Sequence, residues 1–328
     1  MYEAAGKRYD TMTYRRAGDT GLQLPAVSLG LWRGHGDEGV LANTRNMIRT
    51  AFDKGIIHFD LANNYGPSAG SAESAFGQIM KLDMMPYRDE MIIASKAGFD
   101  MWDGPYGFMS SKKHLIASLD QSLKRTNLDY FDIFYTHRPD PKTSFEETAE
   151  TLDLMVRQGK ALYIGISNYS VAETKKMIDL FQKKGTPFVI HQVSYNMLNR
   201  EPEDGLLELL AENNLGTIAY GPLAEGLLTD ASSKKIPDSF QAHRTNASLL
   251  TPAEKPHTQE KLQSLQKIAA ERGQSLSQMA LAWLLRNEVV TSVVVGALQV
   301  KHLEDNIQAL DNLAFSKEEL QSINQILN

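Results

Sequence analysis

The stretch DYFDIFYTHRPDPKTSFEETAETLDLMVRQGKALYIGISNYS, residues 129–170, reads as a strand, a helix and a second strand. DYFDIFYTH (129–137) and ALYIGIS (161–167) have strand length and are apolar on both faces, as suits a buried parallel sheet. Residues 147–158 between them carry a helical pattern. The three together form a βαβ unit. The alternation extends both ways along the chain. AVSLGLW (26–32), IIHFD (56–60) and EMIIASK (90–96) precede it, and FVIHQVSY (188–195), GTIAY (216–220) and SVVVG (292–296) follow. Helical patterns at 111–125, 171–184 and 203–213 fall between strands. In the first, Leu115, Leu119 and Leu123 recur four apart, with Ser110 or Ser111 as N-cap. Eight strands alternating with helices predict the α/β class and a closed (β/α)8 TIM barrel.

The ends decorate that barrel. TYRRAGDTGLQLP (13–25) reads as an N-terminal β-hairpin that turns near Asp19, Thr20 and Gly21 and is expected to cap the barrel bottom. The polar stretch 229–258, with Pro237, Pro252 and Pro256, reads as a long loop over the top. Residues 314–328 read as an extra C-terminal helix. Nothing resembles a linker, so 1–328 is expected to form a single domain.

Composition excludes several classes. There are 40 acidic and 34 basic residues, a net charge of −6, which gives no basic face for nucleic acid. With no cysteine, disulfides and Cys-ligated metals are out, and no metal is expected. MYEAAGKRYDTM lacks the apolar core of a signal peptide, and no apolar run approaches the ~18 residues of a membrane span. A cytoplasmic protein without nucleic-acid or membrane partners is expected.

The first strand leads into Gly34-His35-Gly36-Asp37-Glu38-Gly39, which fits G-x-G-x-x-G, and Asp60 ends the next strand. That is close to a dinucleotide fingerprint. Asp37 and Glu38, however, sit where a pyrophosphate would be repelled, and the number of βα units suits a closed barrel rather than an open sheet. A plain glycine-rich loop beside the barrel mouth is the preferred reading.

Active sites of such barrels lie at the C-terminal ends of the strands. Asp60 ends the second strand, with Tyr65 on the loop after it; Lys96 ends the third and His137 the fourth. Singly each has a plainer use: an aspartate caps, a lysine is solvated, a histidine hydrogen-bonds. In this order on successive strands they suit carbonyl reduction. Hydride addition leaves an oxygen that must gain a proton. A free tyrosine has a pKa of ~10, and a neighbouring ammonium favours the phenolate. Lys96 supplies that ammonium, Asp60 keeps it charged and oriented, and His137 holds the carbonyl oxygen or helps relay the proton.

DLANNYG, SKAG, YTHRPD and GISNYS resemble the aldo-keto reductases, over nearly the whole chain from Tyr14 to the last helix. FDLANNYGP, GSAE, KAGFDMWDGPYG, SLDQSLKR, DIFYTHR, GKALYIGISNYS and HQVSYNMLNR are similar to that family's bacterial L-glyceraldehyde-3-phosphate reductase group. The resemblance implies a catalytic tetrad of Asp60, Tyr65, Lys96 and His137, with Tyr65 as general acid. It implies that Ser167, Asn168 and Gln192 hold a nicotinamide carboxamide and that Tyr220 stacks under the ring. Gly221, Pro222, Leu223, Ala224, Gly226 and Leu227 then cross the pyrophosphate. Gly296, Ala297, Asp305 and Asn306 meet the adenine end, and Trp32 touches the cofactor as well as substrate. Relatives commonly carry a serine and an arginine near the ribose 2′-phosphate, where this chain has Leu298 and Gln299, with Lys301 or His302 as substitute cations. NADP(H) is therefore the expected cofactor, with reduced preference over NAD(H).

On the substrate side, Trp32, Trp102 and Tyr106 are candidate pocket walls, and Arg33, Arg138 and Arg200 candidate phosphate partners. The resemblance implies an NADPH-dependent reductase of small aldehydes, L-glyceraldehyde 3-phosphate and methylglyoxal among them, working as a homo-oligomer. The alternative is a cofactor-binding regulatory subunit like the potassium-channel β subunits, which are similar to the same group. A Schiff-base lyase using Lys96 leaves Tyr65, Gln192 and the Tyr220 loop unexplained.

Overall fold

The computed structural model describes residues 2–240 and 244–327. Two short strands, β1 (Tyr14–Arg16) and β2 (Gln23–Pro25), pair antiparallel as the expected hairpin. Eight parallel strands follow: β3 (Val27–Gly30), β4 (His58–Asp60), β5 (Ile92–Ala97), β6 (Phe131–Thr136), β7 (Ala161–Ser167), β8 (Phe188–Ser194), β9 (Gly216–Tyr220) and β10 (Val290–Val295). They close in chain order, with β10 paired to β3. The closed barrel rules out an open dinucleotide-binding sheet behind the glycine motif. Every residue of β6 and of β10 is buried, because helices cover the outside and side chains fill the inside.

The helices crossing between strands are α1 (Leu41–Asp53), α2 (Ser71–Ile79), α3 (Lys112–Thr126), α4 (Phe145–Arg157), α5 (Val171–Lys184) and α6 (Leu206–Glu212). Local chemistry sets their limits. Ser111, not Ser110, caps α3 by accepting from the His114 amide, and Asn127 ends it in the left-handed region at φ 58°. A reciprocal capping box of Ser170 and Glu173 starts α5. The helix expected from 203 begins only at Leu206, because Pro202 sits in a 3-10 turn and Gly205 turns left-handed before it.

Between β9 and β10 lie α7 (Asp230–Lys234), α8 (Lys255–Glu271) and α9 (Leu276–Leu285); α10 (Val300–Ile307) and α11 (Lys317–Leu327) follow β10. The expected loop at 229–258 is thus largely ordered turns. Thr229 caps α7, Arg244–Leu250 is 3-10, and Pro256 sits in the first turn of α8, where no amide hydrogen is needed. Residues 241–243 of that stretch lie outside the described residues.

The hairpin closes the N-terminal end of the barrel. Ala17, Leu22 and Leu24 pack with Ala94, Ile133, Ile190 and Ile218 inside it. Gly18 is required there: its φ is 56°, and a β-carbon would lie 1.6 Å from the Asn214 carbonyl oxygen. The opposite, C-terminal end is left for the loops that carry the candidate residues. Among the described residues no helix is long and apolar enough to cross a membrane.

Candidate active site

Parallel strands with period two put alternate side chains inside the barrel. Asp60 on β4 and Lys96 on β5 both point there and are buried. Lys96 Nζ donates to Asp60 Oδ2 at 2.6 Å, to the Leu61 carbonyl at 2.7 Å and to the Tyr65 hydroxyl at 3.3 Å. Those three bonds use all the hydrogens of an ammonium. Tyr65 reaches back because its loop turns tightly, the Tyr65 amide donating to the Ala62 carbonyl. His137 follows β6, and its ring lies 5.9 Å from that of Tyr65, nearly edge-on. The four expected residues thus form one cluster at the barrel mouth.

The electrostatics differ from the expectation at one point. Burial pushes the Tyr65 phenol up, and the Lys96 ammonium offsets only part of that. Burial also disfavours the Lys96 ammonium, but Asp60 and Tyr65 outweigh it, so the amine lies above its ordinary value. Tyr65 is therefore a protonated phenol beside a charged lysine at neutral pH.

Around this cluster sit the residues expected to hold a nicotinamide. Ser167 and Gln192 are register partners on β7 and β8. Asn168 takes the left-handed region at φ 63°; its amide donates to the His137 carbonyl and Ser167 Oγ and accepts from the Tyr220 hydroxyl at 2.6 Å. Gln192 Nε2 donates to Asp60 Oδ1 at 2.9 Å. After β9, Gly221, Ala224, Glu225 and Gly226 all have positive φ. Two consecutive non-glycine residues held there are strained, a condition that gathers at ligand sites. Ala224 and Leu227 bury their side chains, so this curled segment offers backbone, which suits phosphate oxygens. A β-carbon at Gly221 or Gly296 would meet nothing within 4 Å. Two amides, a hydroxyl and a curled backbone fit the carboxamide and pyrophosphate of a nicotinamide dinucleotide. Further round, Leu298 is 67% exposed, Gln299 precedes α10, and His302 is exposed on it. Asp305 accepts from Gln278 at 2.9 Å, and Asn306 is buried.

The expected substrate residues divide. Trp32 is half exposed, with the Arg33 guanidinium over its ring. Trp102 packs on His114, which also bonds the Tyr106 carbonyl, so the loop after β5 is held from beneath. Arg138 stacks over Phe99. Arg200 is committed elsewhere: it pairs with Glu203, bonds Asn324 and lies over Trp283.

Three neighbours were not singled out from the sequence. Phe99 packs edge-on against His137 at 4.6 Å. His58 lies two residues before Asp60 and so faces inward as well; it bonds Ser28, which bonds Ser292. Asn63 is fully buried with no hydrogen bond to its side-chain amide among the described residues. The period of two identifies His58 in the sequence; no sequence pattern identifies the others.

Similarity to known proteins agrees with this geometry. The chain is 52% identical over 329 residues to the L-glyceraldehyde 3-phosphate reductase of Escherichia coli O157:H7, covering 99% of this chain and 95% of that protein. It is 51% identical over the same length to the protein of that name from strain K12, with the same coverage. It is 33% identical over 306 residues to a "Probable voltage-gated potassium channel subunit beta" of Oryza sativa subsp. japonica, covering 92% of each. Residues 26–328 match the aldo/keto reductase family, and the chain belongs to that family of oxidoreductases, whose members use nicotinamide cofactors.

Proposed function

We propose that this chain is a cytoplasmic, single-domain NADPH-dependent reductase of small aldehydes, with phosphorylated three-carbon aldehydes such as L-glyceraldehyde 3-phosphate as substrates. One observation carries the reading: Lys96 Nζ bonds both Asp60 and the Tyr65 hydroxyl, with the His137 ring alongside. The likeness to the reductases of that name supports the substrate class.

The cofactor, when bound, supplies a hydride to the carbonyl carbon. Ser167, Asn168 and Gln192 would hold its carboxamide, Tyr220 would support its ring, and the backbone of 221–227 would take its phosphates. Tyr65 gives its hydroxyl proton to the carbonyl oxygen as negative charge develops there. Lys96 stabilises the phenolate left behind, and Asp60 fixes Lys96. His137 positions the carbonyl oxygen between its ring and Tyr65.

A cofactor-binding subunit without turnover is the competing reading, favoured by the likeness to channel subunits. The deciding experiment follows NADPH oxidation by absorbance with L-glyceraldehyde 3-phosphate and methylglyoxal. Turnover of about 1 s⁻¹ or more is expected of an enzyme. Tyr65→Phe should cut it by about 10²–10⁴ while NADPH still binds. Cofactor binding without turnover of any aldehyde by the native protein overturns the reading.

A further inference from the structure

Many arginines among the described residues spend their charge on a close carboxylate. Arg45 and Arg49 share Asp83, Arg88 takes Asp132, Arg125 takes Glu73, Arg200 takes Glu203 and Arg272 takes Glu319, all within 2.9 Å. Arg138 does not. Its Nε donates to the Gly98 carbonyl at 2.9 Å, which fixes the plane of the guanidinium. Among the described residues its one ion pair is with Asp100, 3.9 Å from Nη2, and that side chain is 88% exposed. An ion pair so long and so wet leaves most of the charge unspent. Arg33 also has no ion pair among the described residues, and its guanidinium lies over Trp32.

Arg138 is tied to the four residues of the cluster. Its guanidinium lies 4.2 Å over the Phe99 ring. Phe99 packs edge-on against His137 at 4.6 Å, and His137 faces Tyr65 at 5.9 Å. An unbroken line of contacts therefore runs from the proton donor to the unspent guanidinium. The stacking and the Gly98 bond hold the fork in place before any ligand arrives, so little rotamer entropy remains to be lost on binding. The outer nitrogens, Nη1 and Nη2, remain as donors suited to a planar, two-point grip on an oxyanion.

Resting on the reductase reading above, we infer that Arg138 is the substrate's anion-recognition residue. It grips the phosphate of a short phosphorylated aldehyde whose carbonyl lies between Tyr65 and His137. Arg200, whose fork is filled by Glu203 and Asn324, does not take this part. Asp100 is the counterweight, a carboxylate at the rim that competes for the same guanidinium and repels an incoming dianion.

The test compares glyceraldehyde 3-phosphate with glyceraldehyde, which share a carbon skeleton and differ in the anion. Arg138→Met should lower kcat/KM for the phosphorylated aldehyde about ten- to a hundredfold more than for the neutral one, with the change in KM. Arg138→Lys, which keeps the charge and loses the fork, should recover part of the loss. Asp100→Asn should act in the opposite sense, lowering KM for the phosphorylated aldehyde only. Equal effects of Arg138→Met on both substrates, or no effect, overturn the assignment. If Arg138→Met fails to fold, an unchanged substrate ratio in Asp100→Asn overturns it. Titration of glycerol 3-phosphate into the native protein and Arg138→Met separates this inference from the reductase reading. Binding that depends on Arg138 without aldehyde turnover upholds the anion site and sinks the reductase; turnover with binding that ignores Arg138 does the reverse.

Discussion

Gln192 reaches across the barrel to Asp60: its amide on β8 donates to Oδ1 at 2.9 Å, and β4 is the strand directly opposite. The two oxygens of Asp60 are thereby divided, Oδ2 to Lys96 and Oδ1 to Gln192. An amide expected only to hold a cofactor also completes the shell of a buried carboxylate. Gln192→Leu leaves Oδ1 without that partner, at a cost of about 1–3 kcal/mol. The urea midpoint of the cofactor-free variant should fall accordingly, with its slope unchanged. A native midpoint would show that Oδ1 does not depend on Gln192.

The upward shift of Tyr65 sets a pH profile. Reduction needs the protonated phenol, and burial holds that form beyond the ordinary phenol range despite Lys96. Activity that depends on a proton from Tyr65 is present below its pKa and lost as pH rises through it. The kcat for reduction should therefore show no loss from this group through neutral pH and decline only above about 10. Alcohol oxidation, which needs the phenolate, should rise with pH over the same range. A reductive kcat that halves between about pH 7 and 9, and does so in a manner lost in Tyr65→Phe, would remove the buried-phenol account.

Three buried histidines predict how the fold responds to acid. Burial pushes His35 and His58 down to about 4, and His191 down to about 3. A histidine with a depressed folded pKa is neutral when native and gains its proton on unfolding, so stability falls as pH drops below the unfolded value of ~6.5. Each such group withdraws about 1.4 kcal/mol per pH unit until its folded pKa is reached. Carboxylates such as Asp83, held below the usual range by Arg45, withdraw stability only below about 4. The thermal midpoint should be flat from about pH 8 to 7 and fall steadily from about 6.5 to 4.5. His191→Gln, which keeps an acceptor for the Tyr169 amide, should reduce that slope. A midpoint flat down to about 4.5 would refute the assignment of neutral buried rings.

What was legible in the sequence follows from range. Strands apolar on both faces announce themselves locally, so all eight barrel strands are readable, although IIHFD pairs only from His58 and DYFDIFYTH from Phe131 to Thr136. Asp60, Lys96 and His137 are readable as a group because strand ends in a barrel share one face. The bond from Gln192 to Asp60 spans 132 residues and two opposite strands, and no local pattern carries it. The net shift on Tyr65 is hidden from the sequence for the same reason: the neighbouring lysine is visible in the chain, whereas the burial that outweighs it exists only after folding. Helix α7 is not readable in the sequence because Asp230, Ala231, Ser232, Ser233 and Lys234 form no apolar stripe, and what defines it is the Thr229 cap.

The last prediction concerns the far end of the cofactor. Leu298 is 67% exposed after β10, and its Cδ2 lies 2.4 Å from where a β-carbon on Gly34 would stand. Gly34 thus leaves room for that leucine. If the ribose 2′ group lies beside it, an apolar side chain and the uncharged Gln299 meet a phosphate that a hydroxyl and a guanidinium would bind. A hydrogen bond to a charged group is worth about 1.5–3 kcal/mol, or one to two decades in affinity. The native protein should therefore prefer NADPH to NADH by less than about a thousandfold in kcat/KM, and Leu298→Ser with Gln299→Arg should raise that ratio by about ten- to a hundredfold. Lys301 and His302, both exposed at the start of α10, are the cations able to mask the effect, so the double variant is compared with and without Lys301→Met. A native preference above a thousandfold that survives Lys301→Met would show that the 2′-phosphate is held by other groups, and Leu298 would lose its part in cofactor choice.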